Sequence, residues 1–195
     1  MSTSAASHVV AVAKAGIVGI AVIGQSPRPD IADLFAAAAP TGGKVVLLGC
    51  LDGLSDAEID RLTPTDGDDT LYTRLPSGRD VALSKAAVTA RAPATLAKLR
   101  AAGATAIVFN CTGEFSPMPD HAGVVFPSRV LAYLVASLLP EGRLGIMVPF
   151  AEQASKLKQK WARPGVDVVA VALLPSAGEA ETVRAAERLA ALQPD

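Results

Sequence analysis

The sequence is poor in the side chains that usually announce a site: its 195 residues include two histidines and two cysteines, aromatics make up 4%, and the formal net charge is −1. Each scarcity removes a class of function. Two cysteines, Cys50 and Cys111, are too few for a disulfide scaffold in a chain this long, and both close apolar runs of strand length, so a reducing, cytoplasmic setting is expected. His8 and His121 stand at no metal-ligand or triad spacing to the cysteines, which argues against a metal centre and against Cys-His hydrolysis. There is no basic run, no aromatic-rich strand pair and no finger spacing, so nucleic acid is not an expected partner. No P-loop or GxGxxG follows the first apolar run, and no cofactor is expected. The apolar stretch from Val9 to Gly24 is broken by Lys14 and by glycines. It falls short of the roughly 20 residues a membrane span needs and lacks the basic start of a secretory segment, so no membrane association is expected.

What remains is a hydrophobic half, rich in Ala, Val and Leu, with 19% charged residues, a balance that suits helices packed on a sheet covered on both faces. Five strand-length apolar runs, Ile17 to Gly24, Val45 to Cys50, Ala106 to Cys111, Leu144 to Val148 and Val168 to Leu174, alternate with segments of helical spacing. The pattern predicts an α/β fold with a mostly parallel sheet flanked by helices. Helices are expected over Ile31–Ala39, Asp56–Leu62 behind a Ser55/Glu58 capping box, Ser84–Ala102, Ser128–Leu139, Glu152–Ala162 and Glu179–Leu192. Pro93 is expected to kink or break the third of these, and Gly103 to end it in a left-handed conformation. Thr70–Leu75 and Arg79–Leu83 flank Pro76-Ser77-Gly78, the mark of a β-hairpin standing outside the parallel sheet. No linker or repeat divides the chain, which reads as one domain, or two lobes over about 17–125 and 126–195, with 1–16 a loosely ordered lead-in.

Ligands of parallel α/β sheets gather at the carboxyl ends of the strands. After the first run come Gln25, Ser26 and Arg28, braced by Pro27 and Pro29 near a helix start, an arrangement that can grip a carboxylate or phosphate. The alternative for Arg28 is a surface pair with Asp30 or Asp33. After the second run, Asp52 can face the same cleft, while Cys50 reads as a small buried apolar residue. After the third run, Asn110-Cys111-Thr112-Gly113 sets a thiol at the tip of a buried strand beside a hydroxyl and a glycine that lets backbone N–H groups approach. Those N–H dipoles are expected to lower the pKa of Cys111. A cysteine after an apolar run is also often plain core. Ser128 and Arg129 open the next helix at another anion-friendly position.

The ordered strings Gly24-Gln25-Ser26-Pro27-Arg28-Pro29-Asp30, Leu51-Asp52-Gly53-Leu54-Ser55, Leu75-Pro76-Ser77-Gly78, Asn110-Cys111-Thr112-Gly113 and Pro127-Ser128-Arg129 resemble the AroM family, from about Gly24 to the last helix. More distantly, the Asn-Cys-Thr segment and the layout are similar to the aspartate/glutamate racemase superfamily. That resemblance implies a cofactor-independent enzyme on a small carboxylate or other small anion, with Cys111 as thiolate, Asn110 and Thr112 as carboxylate binders, and a homodimer. It also implies a further strand and helix carrying a second cysteine. The sequence ends at Asp195 without them, which weighs against two-base catalysis, and a racemase-, isomerase- or lyase-type reaction through a single thiolate is expected. A non-catalytic anion-binding module with the same cleft stays open beside it.

Overall fold

The computed structural model describes residues 16–65, 69–116, 118 and 121–195. The lead-in expected over 1–16 lies, except for Gly16, outside the described residues.

The first βα units build a parallel sheet. β1 (Ile17–Val22) is its centre, flanked by β2 (Lys44–Gly49) and β5 (Ala104–Phe109), and the two-residue β6 (Val124–Val125) extends the edge in the order β2-β1-β5-β6. Registers run from Ile17↔Lys44 to Val22↔Gly49 on one side and reach Ala21↔Phe109 on the other. Three strands therefore finish at one level, and the loops after Val22, Gly49 and Phe109 emerge together. β1 is Val-, Ile- and Ala-rich and becomes fully buried towards its end, as a central parallel strand should.

α3 (Lys85–Ala101) covers this sheet through Val88, Ala92, Leu96 and Leu99, all without exposed surface. It continues through Pro93, so of the kink or break expected there the break does not occur. Burying the apolar side chains on both flanks, at about 1.5–3 kcal/mol for each large one, outweighs the roughly 3 kcal/mol cost of a proline inside a helix. Gly103 then ends the helix at φ +86°, as expected of a left-handed terminator.

β3 (Thr70–Arg74) and β4 (Asp80–Ser84) form the antiparallel hairpin outside the main sheet, in register from Thr70↔Ser84 to Arg74↔Asp80. The later part of the chain makes a second parallel pair, β7 (Gly142–Val148) with β8 (Val166–Ala172). On β8 pack α5 (Ala154–Trp161) and α6 (Glu179–Ala190). The remaining helices are α1 (Pro29–Ala38), α2 (Asp56–Asp60) and α4 (Pro127–Leu138). The Ser55/Glu58 box is present, with the Glu58 carboxylate accepting the Ser55 N–H at 2.8 Å. α4 turns Val130, Tyr133, Leu134 and Leu138 outward. Among the described residues, no helix is long and apolar enough to cross a membrane. The fold is thus the expected α/β arrangement of a mostly parallel sheet with flanking helices and a separate hairpin.

Gly19 is the tightest point of the central strand: a Cβ there would stand 2.9 Å from the Ala104 Cβ and 3.2 Å from Ile107 Cγ1. Neither neighbour has a flexible end that can swing away. Gly19→Ala should destabilise the protein by about 1–3 kcal/mol through overpacking, seen as a lower urea midpoint with an unchanged denaturant slope.

Candidate functional site

The site is framed by two loops that one carboxylate holds together. Asp52, in the turn after β2, accepts the Ser26 backbone N–H at 2.6 Å, the Ser26 hydroxyl at 2.8 Å and the Gly49 N–H at 2.7 Å. Gln25 adds a second tie, its amide donating to the Leu54 carbonyl at 2.9 Å. The strand ends must come close for this to work. Gly49 permits it, because a Cβ there would sit on the Gly24 carbonyl oxygen and 2.7 Å from Asp52 Oδ1. The loop after β1, with its cis Ser26–Pro27 peptide, is thereby set in place and delivers Arg28 at the start of α1.

The third loop is anchored from below. Phe109, without exposed surface, meets Phe115 edge-on at 4.8 Å between ring centroids and Phe126 at 5.8 Å. These aromatic contacts pin both ends of the segment that carries Asn110, Cys111, Thr112 and Gly113. The Asn110 N–H continues the ladder by donating to the Ala21 carbonyl at 2.7 Å. Gly113 then turns back, and its N–H donates to Cys111 Sγ at 3.3 Å.

A cavity of about 460 Å³ opens at this level. Its floor is Val22, Ile23, Asn110, Cys111 and Thr112; Arg28, Asp30 and Ile31 wall one side, and Tyr72, Thr73 and Arg74 of the hairpin another. Pro127, Pro175 and Ser176 complete it, so the second sheet contributes through the turn after β8. Cys111 is partly exposed, whereas Cys50 is 2% exposed. Among the described residues, the Asn110 amide and the Thr112 hydroxyl have no side-chain hydrogen-bond partner, whereas the Tyr72 hydroxyl is buried against Ser176 and Asp80. The cavity therefore presents polar groups still able to bond a ligand.

Electrostatics divides these groups. Arg28 grips Asp30 in a fork, Nε to Oδ1 at 2.8 Å and Nη2 to Oδ2 at 2.6 Å, and donates to the Arg74 carbonyl at 3.2 Å. The Arg28 hydrogen bond holds the Asp30 carboxyl below the usual range and in turn raises the guanidinium. Burial pushes the Cys111 thiol up, against opposing pulls from the Gly113 N–H and then from Lys160 and Lys85. The lowering expected from N–H dipoles is thus real but smaller than the cost of burying a thiolate. Burial above all drives Cys50 to about 11, with partial relief from Thr95 and Arg91 and further raising by Asp52 and Cys111.

Of the residues singled out in the sequence, Arg28, Asn110, Cys111 and Thr112 share the cavity. Gln25, Ser26 and Asp52 brace the loops that shape it. Gly113 bonds the sulfur and lines an adjoining cavity of about 270 Å³. Ser128 is buried at the start of α4, and Arg129 lies over the Phe126 ring at 4.9 Å. Among the described residues no three His, Cys, Asp or Glu side chains are grouped to hold a metal ion. Sequence reasoning missed Tyr72, Thr73 and Arg74, whose strand looked like an excursion, and Ser176. The last was findable, since Pro175-Ser176 follows β8 at its carboxyl end, where ligands of parallel sheets are sought.

Fold and site together define an α/β protein with one thiol opening into a cleft at the carboxyl ends of parallel strands. The chain belongs to the AroM family: a family model described as AroM protein matches residues 18–195. No curated protein and no solved structure matches it.

Because Asp52 satisfies three donors, two of them backbone, Asp52→Ala should cost about 2–4 kcal/mol. The check is equilibrium urea unfolding, with Asp52→Asn losing less because one oxygen still accepts.

Proposed function

We propose that this AroM family member is a cofactor-independent enzyme of the isomerase or lyase type that acts on a small carboxylate through Cys111. The observation that carries the reading is the opening of Cys111, flanked by the unpartnered Asn110 and Thr112 side chains, onto the cavity that Arg28 walls. A carboxylate seated against the Asn110 amide and Thr112 hydroxyl brings the neighbouring C–H towards the sulfur. The thiolate takes that proton, Sγ–H forms, and the electron pair left on carbon is spread into the carboxylate, where hydrogen bonds hold the added charge. In an isomerisation the same thiol returns the proton to a different carbon of an unsaturated substrate, to which the electron pair is delocalised, or the pair expels a leaving group in a lyase reaction. With one thiol acting on one face, deuterium exchange should proceed without inversion at that carbon.

A second reading, a small-anion-binding or regulatory module, draws support from two observations. Arg28 already spends its fork on Asp30, and the thiol is held above its ordinary range. Such a module binds in the same cleft and does no chemistry.

The test is incubation with a panel of small carboxylates in D2O, read by NMR, beside thermal-shift titration. The enzyme reading predicts deuterium at the carbon next to the carboxylate, lost in Cys111→Ser by at least about a hundredfold, the scale of a proton-transfer group. Binding without exchange favours the module, and exchange that survives in Cys111→Ser contradicts the thiol's role. The pH dependence has a definite sign. A thiol raised by burial stays protonated to higher pH than a free one, so exchange and alkylation of Cys111 should be slow at neutrality and climb through the alkaline range.

A further inference from the structure

The thiol-bearing turn is approached from behind by a lysine. Lys160, near the end of α5, donates its ammonium N–H to the Thr112 carbonyl at 3.1 Å, while the Gly113 N–H donates to Cys111 Sγ at 3.3 Å. One three-residue turn thus receives a cation on its carbonyl side and presents the sulfur on the other. We propose that Lys160 is the charge partner of the Cys111 thiolate, a positioning residue that reaches the turn from the adjoining 270 Å³ cavity while ligand enters from the larger one. The inference rests on the reading of Cys111 as a thiolate and extends it by naming what stabilises that state.

The charges around the pair favour this assignment. The adjoining cavity carries Lys85, Lys156 and Lys160 against Asp69, Glu114 and Glu152. Asp69 takes Lys85 at 2.9 Å and also pairs with Lys156. Lys160 is left with no carboxylate in ion-pair contact among the described residues, although Glu114 is near enough to favour its charged form. Its ammonium lies 5.5 Å from the centroid of the Trp161 ring. Burial disfavours the charge on both partners, pushing Lys160 down and Cys111 up, and each charge relieves the other. Lys85 acts on Cys111 in the same sense but is engaged by Asp69, and Cys50 also senses the Cys111 charge from the end of β2. Lys160, held by the Thr112 carbonyl and not by a carboxylate in ion-pair contact among the described residues, exerts the larger of the two cationic pulls on the sulfur.

The experiment is the rate of Cys111 alkylation by iodoacetamide in the full chain, followed across about pH 7 to 11.5. Peptide mass mapping separates Cys111 from Cys50. Lys160→Met should move the midpoint upward by about one unit, a tenfold slower reaction at neutral pH, while Lys160→Arg should keep the wild-type midpoint. A lysine that only props up α5 would change thermal stability and leave the midpoint where it was; that result overturns the inference. A reciprocal measurement needs no change in α5. In Cys111→Ser, loss of the neighbouring anion should lower the pKa of Lys160 further, so it reacts faster with trinitrobenzenesulfonate at alkaline pH, and unchanged lysine reactivity overturns the pairing. Both readouts concern ionisation alone. A normal Lys160 result with no deuterium exchange would sink the enzyme reading and leave the pair intact.

Discussion

The arrangement depends on a carboxylate that never needs to touch a ligand. Asp52 gathers two backbone N–H groups and a hydroxyl from the ends of neighbouring strands, and so converts parallel register into a fixed loop geometry. Without that clamp, the segment from Gln25 to Arg28 would be held to the second loop by the Gln25 amide and, just before it, by the Leu51 N–H on the Gly24 carbonyl. With it, Arg28 reaches the hairpin backbone at Arg74, and one side of the cavity is closed. The floor is fixed by different physics, the aromatic packing of Phe109 against Phe115 and Phe126. Hydrogen bonds to a charged group set one wall, and dispersion and burial set the floor.

Cys111 sits where these two systems meet, and its chemistry is a contest between burial and charge. Seating the thiol at the tip of a buried strand gives it a defined position beside Asn110, but that burial disfavours the thiolate. The Gly113 N–H and the cations approaching from α5 and α3 work in the other direction. The balance lies on the side of the thiol, so the proposed chemistry depends on what shifts it. Cys50 is the useful contrast. It is equally close to a strand end but sealed, and its thiol is driven to about 11.

Much of the fold was readable from local patterns. Apolar runs closed by Gly, Pro or polar residues marked the parallel strands, Pro76-Ser77-Gly78 marked the hairpin, and Gly103 marked the end of α3. At Pro93 the local cost was visible in the sequence, while the burial of Val88, Ala92, Leu96 and Leu99 that lets the helix continue was not. For the site, the strand-end rule located Arg28 and the Asn110-to-Thr112 segment correctly relative to one another. It could not tell a carboxylate that faces the cavity from one that braces it, and Asp52 is the latter because its hydrogen bonds span residues far apart in sequence. Tyr72 and Lys160 were invisible for a related reason. Their relevance arises from the placement of a hairpin and a late helix beside the loop after β5, which no local pattern encodes.

The most direct measurement is ligand protection of Cys111: iodoacetamide labelling of the folded protein, mapped by peptide mass, with and without saturating small carboxylates. The account predicts that Cys111 is labelled, that Cys50 is not, and that a carboxylate seated in the cavity slows the labelling. A Cys111 that resists alkylation as Cys50 does, or that reacts at the same rate whatever carboxylate is present, would contradict it.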